Sequence, residues 1–132
     1  MPTLTAAQKR QRAKSTYDAF LATCPSRQLF DRIGTKWSGL VLCSLENGPK
    51  RHSELARRIA GVSQKMLTQT VRELERDGLV TRTVTPSVPV RVDYELTDLG
   101  RSLQPAIRAL KEWAEANMDS VLAARVAYDK AH

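Results

Sequence analysis

The sequence predicts a mainly α-helical domain with one small β-hairpin (α+β), ordered as a helix-turn-helix followed by a wing and built to pair with a second copy. Three observations carry this prediction. The stretch from Ser53 to Gly78 divides into a short and a longer helical pattern, with Gly61 at the corner between them. After Gly78 the apolar spacing changes from the helical period to a period of two, over Val80–Val84 and again over Val90–Leu96. From Thr97 the helical period returns and persists toward the C-terminus.

Taken in order, Thr5 to Ala22 reads as a helix with Ala13, Tyr17, Phe20 and Leu21 on one stripe and the run Lys9, Arg10, Arg12, Lys14 on the other side. Thr23-Cys24-Pro25 interrupts it. Pro25 suits the first position of a new helix, which places Cys24 at the N-cap and carries Leu29, Phe30 and Ile33 up to Gly34. Thr35 is expected to cap the next helix, Lys36 to Glu46, with Trp37, Leu40, Val41, Ser44 and Leu45 as its core face. Asn47-Gly48-Pro49 ends it, and Lys50 to His52 forms a short extended piece.

Ser53 is expected to cap the short helix Glu54–Ile59, because its hydroxyl can take an unpaired N–H of the first turn. Ser63 caps the longer helix, which ends at Gly78. At about 100° per residue, Leu67, Thr70, Val71 and Leu74 fall on one side of it. Lys65, Thr68, Gln69, Arg72 and Arg76 fall on the other, with Gln64 at the N-terminal rim. The second set suits base edges and phosphates when such a helix enters the DNA major groove. An ordinary solvated face is the competing reading, and the hairpin that follows weighs against it.

In that hairpin, setting Val84 opposite Val92 brings Val80 opposite Leu96 and Arg82 opposite Tyr94, which matches apolar with apolar. Pro86-Ser87-Val88-Pro89 limits the tip. A hairpin directly after a reading helix acts as a wing, with Arg91 and the Ser87 tip as its DNA contacts and Arg51 as a further contact. Covering the core is the alternative use of the hairpin. Thr97 then caps the long C-terminal helix, with Asp98 in its favourable first turn. Its stripe runs through Leu99, Leu103, Ile107, Leu110, Trp113 and Ala114, and Pro105 inside it is expected to bend or break it near Arg101. So long a stripe exceeds what one small subunit needs. Leu110 and Trp113, with Tyr17 and Phe20, are therefore assigned to a homodimer interface, against core packing within one subunit.

Composition supports a polyanionic partner. The 132 residues (14.8 kDa) make one domain with a net charge of +7 and a pI of about 9.9. From Lys50 to Arg91 nine basic residues face four acidic ones. No apolar run approaches the roughly 20 residues of a membrane span, and no signal peptide is visible, so a cytoplasmic chain without membrane contact is expected. The widely spaced Cys24 and Cys43 form neither a secreted disulfide framework nor a zinc site. No constellation for catalysis, metal or cofactor is present.

Three segments, CPSRQLFDRIGTKWSGLVL, GPKRHSELARRIAGVSQKMLTQTVRELERDGLVTR and VPVRVDYELTDLGRSL, together resemble the HxlR family of bacterial winged helix-turn-helix regulators. The similarity runs from about Cys24 to Trp113, and SQKMLTQ is highly specific. It implies a homodimeric DNA-binding regulator on a pseudo-palindromic operator, with recognition helix Ser63–Asp77 and wing Thr81–Glu95. In several such regulators a cysteine at the position of Cys24 senses oxidants or electrophiles. One departure is His52, where the family usually carries Phe; packing or a phosphate contact is expected of it.

The expectation is thus a DNA-binding repressor with residues 1–22 as a dimerisation arm, 23–98 as the DNA-binding domain and 99–132 as a helical dimerisation segment. The DNA contacts expected are Ser63, Gln64, Lys65, Thr68, Gln69, Arg72, Arg51, Ser87 and Arg91. Cys24, at a helix N-terminus with Arg27 one turn in, is the expected thiol sensor, and Cys43 is expected to be structural. A half-buried Cys24 that never titrates is the alternative. A ligand-responsive regulator without redox sensing, a protein-interaction module and a thiol enzyme are the competing functions.

Overall fold

The computed structural model describes residues 3–33 and 36–132, and side chains outside the 17–23 segment of its first helix. Two compact units are present, Met1–Lys36 and Trp37–His132.

In the first unit, α1 (Ala6–Thr23) and α2 (Pro25–Ile33) are in contact. Thr5 and Gln8 close the start of α1 reciprocally: the Gln8 N–H donates to the Thr5 hydroxyl at 3.1 Å, and the Thr5 N–H donates to the Gln8 side-chain oxygen at 2.9 Å. The Cys24 carbonyl accepts from the Gln28 N–H at 3.1 Å, so α2 begins on Pro25 as its fixed φ favours. The expected stop at Gly34 and cap at Thr35 lie outside the described residues.

The second unit holds α3 (Lys36–Ser44) from Trp37 on, β1 (Lys50–Arg51), α4 (His52–Arg58), α5 (Gln64–Arg76), β2 (Val80–Thr85), β3 (Arg91–Leu96) and α6 (Asp98–Ala131). Its sheet is antiparallel with strand order β1-β3-β2. The core gathers one stripe from each element: Val41, Leu42 and Leu45 from α3 and its end, Leu55 from α4, Leu67, Val71 and Leu74 from α5, Val80, Tyr94 and Leu96 from the sheet, and Ile107 from α6. Each leucine fully buried there is worth about 1.5–3 kcal/mol over an exposed one.

The β2–β3 register pairs Val84 with Val92, Arg82 with Tyr94 and Val80 with Leu96, as apolar matching predicts. Two corners need glycine: Gly61 at φ +86° turns the chain between α4 and α5, and Gly78 at φ +76° ends α5.

Several expectations are corrected. Helix α4 starts at His52, with Arg51 as its N-cap and not Ser53. The Glu54 carboxylate, accepting from the Arg51 N–H at 3.1 Å, closes that turn one residue pair earlier than a serine cap would. Helix α3 ends at Ser44, and its core face is rotated from the expected one. Ser38 and Leu42 are buried, whereas Leu40 is 46% exposed. The chain meets α6 at this point: the Gln104 amide donates to the Leu42 carbonyl at 3.0 Å. Helix α6 runs through Pro105 without a break. The extended piece expected from Lys50 is present as a third strand, paired with β3 through Lys50↔Tyr94 and Arg51↔Asp93, and is shorter than expected only by His52, which opens α4.

Candidate nucleic-acid interface

Helix α5 is the element on which the site is built. Ser63 has extended backbone angles, and its hydroxyl accepts from the Met66 N–H at 3.1 Å, which fixes the entry of the helix. Leu67, Thr70, Val71 and Leu74 are all buried, so the rotation of the helix about its axis is set by the core. That rotation leaves Gln64, Lys65, Gln69, Arg72 and Arg76 exposed, with Thr68 half-buried at the edge of the same face. Ser63 is exposed at the N-terminal end.

Several of these side chains are held in place. The Gln69 amide donates to the Glu73 carboxylate at 3.3 Å, one turn along. The Thr68 hydroxyl and the His52 Nε2 lie 3.1 Å apart, a bond between α5 and the first residue of α4. Sequence reasoning expected packing or a phosphate contact of His52 and missed this partner. Its neighbour is 16 residues on, across a corner that no period in the sequence reports.

The wing stands beside α5. Thr68, Arg72 and Glu75 of the helix and Arg82 and Tyr94 of the sheet line a small cleft between them. At the tip the Ser87 hydroxyl donates to the Pro89 carbonyl at 2.7 Å, and Val88 is fully exposed. Arg91 is half-exposed, but its Nε donates to both Asp93 carboxylate oxygens, at 2.9 and 3.2 Å. That bond holds its guanidinium above the usual range and supplies it with a local counter-charge. Arg51 is exposed at the end of β1, directly across from the same Asp93.

Cys24 is partly exposed. Its thiol lies below the ordinary range, chiefly through the backbone N–H of Arg27 and then that of Ser26 at the start of α2. The N–H groups at the helix terminus do this, as the sequence suggested, whereas the Arg27 charge that it also suggested does not contribute. Burial pushes the Cys43 thiol the other way, up. Leu110 and Trp113 project from the middle of α6 at 61% and 57% exposure. Tyr17 and Phe20 carry side chains outside the described residues. Among the described residues no helix is long and apolar enough to cross a membrane.

A capped helix with a polar, basic outer face, a glycine corner before it and a hairpin after it define a winged helix-turn-helix protein. Comparison with known proteins places the chain within that class. It belongs to the HxlR-like helix-turn-helix family, whose model matches residues 32–121. It is therefore a transcriptional regulator of a DNA-binding family and not an enzyme. The HTH-type transcriptional regulator YtfH of Escherichia coli strain K12 is 42% identical over 106 residues, covering 80% of this chain and 84% of that one. The redox regulator HypR in its reduced form is structurally similar, with a TM-score of 0.72 and 41% identity over 76% of this chain and 99% of the other. The reduced form of the transcriptional regulator YodB from Bacillus subtilis has a TM-score of 0.62 and 39% identity over 70% and 92% of the two chains.

Proposed function

We propose that this regulator binds a pseudo-palindromic operator as a homodimer and acts as a repressor whose affinity falls when Cys24 is oxidised or alkylated. The observation that carries the reading is the outer face of α5, where Gln64, Lys65, Thr68, Gln69 and Arg72 stand opposite a fully buried stripe. In this reading Lys65 and Gln69 meet base edges, Arg72 and Arg51 neutralise phosphates, and Ser63, Ser87 and Arg91 position the protein on the backbone. Residues 23–98 form the DNA-binding part. Residues 1–22 and 99–132 pair the two copies, with the exposed Leu110 and Trp113 in the seam and Tyr17 and Phe20 as their partners from α1. Two recognition helices would then stand about 34 Å apart, one turn of DNA. Repression follows from steric exclusion of polymerase, in the cytoplasm where the DNA lies.

Sensing through Cys24 is favoured by its lowered thiol pKa and by the resemblance to HypR, a redox regulator. An oxidant or a small electrophile is the effector class.

The DNA reading is tested by selecting duplexes from a random library and titrating the selected site against random duplex. Arg72→Ala should weaken both about equally and flatten the salt dependence by about 0.9 in log–log slope, one phosphate's worth. Gln69→Ala should cost about 1–3 kcal/mol on the selected site alone. Unchanged binding in both variants would remove α5 from the groove.

A further inference from the structure

Threonines in helices commonly turn the hydroxyl back to the carbonyl four residues earlier. Thr70 does so, donating to the Met66 carbonyl at 2.7 Å, and Thr16 does so toward Arg12 at 3.0 Å. Thr68 differs. Its hydroxyl faces sideways, out of the helix, to the His52 Nε2 at 3.1 Å. Both residues are half-buried, so the bond is sheltered without being removed from the outer face of α5.

We propose that His52 is a positioning residue for sequence readout, setting through this bond which way Thr68 presents its hydroxyl and methyl to a base pair. The proposal rests on the reading that α5 enters the groove. A staggered threonine has only three choices at χ1, so anchoring Oγ1 at His52 also fixes the methyl group. The bond has two polarities. With a proton on Nε2 the imidazole donates, and the Thr68 hydroxyl is left to donate outward, to purine N7, guanine O6 or thymine O4. With Nε2 bare the hydroxyl donates to His52, and its oxygen is left to accept from adenine N6 or cytosine N4. In each polarity the outward half of the hydroxyl is committed before DNA arrives, and one base pair of each half-site is read by it. His52 itself touches no base. It sits at the first position of α4, whose start is pinned by the Glu54–Arg51 turn, so its own position is set by the fold.

The test is a set of library selections with the intact protein, using wild type, His52→Phe, His52→Gln, Thr68→Val and the double variant His52→Phe/Thr68→Val. Each protein is also followed by thermal melting and by salt titration on random duplex. His52→Phe is expected to lose discrimination at a single base position per half-site by about fivefold or more, the low end of what one base contact supplies. Random-duplex affinity and salt slope should stay as in wild type. His52→Gln, whose amide nitrogen can stand near the place of Nε2, should restore the preference. Thr68→Val, with His52 intact, should lose the same position, and the double variant should lose no more than either single change. A full wild-type selection pattern in His52→Phe overturns the proposal, as does an added loss in the double variant. If wild type selects no consensus, or Arg72→Ala and Gln69→Ala both leave binding unchanged, the DNA reading itself falls and this one with it. Those outcomes arise in proteins whose His52 is untouched, so the two failures are told apart.

Discussion

Asp93 lies between two of the cations assigned to DNA, and this makes a sharp prediction. On β3 it is bonded to Arg91, and across the ladder it stands opposite Arg51 on β1. A phosphate approaching the wing must compete with this carboxylate for the Arg91 guanidinium. Exposed ion pairs of this kind are worth about 0.2–1 kcal/mol. The Arg91 and Asp93 side chains are 48% and 20% exposed, which places the pair in that class and not among buried ones. Asp93→Asn removes the competitor while keeping the shape, and should tighten binding to random duplex by roughly 1.4- to 5-fold at low salt, the same energy expressed as a ratio. Because the local charge rises by one, the salt dependence should steepen by up to about 0.9 in log–log slope, and the gain should fade at high salt. Fluorescence anisotropy on a labelled duplex from 50 to 200 mM salt measures both (about a fourfold span, enough to resolve such a slope). The gain should vanish when Arg91→Ala is added. A folded Asp93→Asn protein that binds random duplex no more tightly than wild type at 50 mM would refute the reasoning and leave Arg91 off the DNA.

The remaining predictions concern packing, assembly and the thiols. Gly100→Ala would drive a methyl group into the Leu79 carbonyl, and backbone must move, so urea unfolding should show a loss of about 1–3 kcal/mol. Trp113→Glu would put a charge into the proposed apolar seam, so light scattering should report monomers or aggregates; an intact soluble dimer would place Trp113 outside it. At pH 7 iodoacetamide should label Cys24 faster than Cys43, because the lowered thiol holds more thiolate; labelling should slow as pH falls through that lowered value. Diamide should release wild type from its operator and leave Cys24→Ser bound, and an equal response of the two would make Cys24 a packing residue.

Legibility in the sequence followed the length of each pattern. The two faces of α5 and the register of the hairpin were readable because buried apolar residues recur there over several periods, so one-residue errors would expose them all. In the nine residues of α3 the signal was too short to fix rotation, and the buried Leu42 was missed; its backbone carbonyl is met by Gln104, 62 residues away, a contact that no local pattern reports. The start of α4 was misplaced since Ser53 has the better capping chemistry locally, whereas the paired strand at Lys50–Arg51 and the Glu54 carboxylate set the boundary. The same limit hid the two polar bonds that refine the candidate site, His52 to Thr68 and Arg91 to Asp93. Both depend on which way a side chain leans once the backbone is in place.

The joint where α5, the hairpin and α6 meet also sets how the molecule opens. The Thr97 hydroxyl donates to the Gly78 carbonyl and accepts from the Gly100 N–H, the Thr97 N–H donates to the Leu79 carbonyl, and the Leu79 N–H donates back to Leu74. Breaking any one of these hydrogen bonds by local opening disturbs the others, because all of them pass through Thr97 or Leu79. In native-state hydrogen exchange the amides of Leu79, Thr97 and Gly100 should therefore report one common protection energy, near that of global unfolding. Amides of α6 beyond Ile107, where the helix leaves the core, should exchange at lower energies that rise with protein concentration if the second copy covers them.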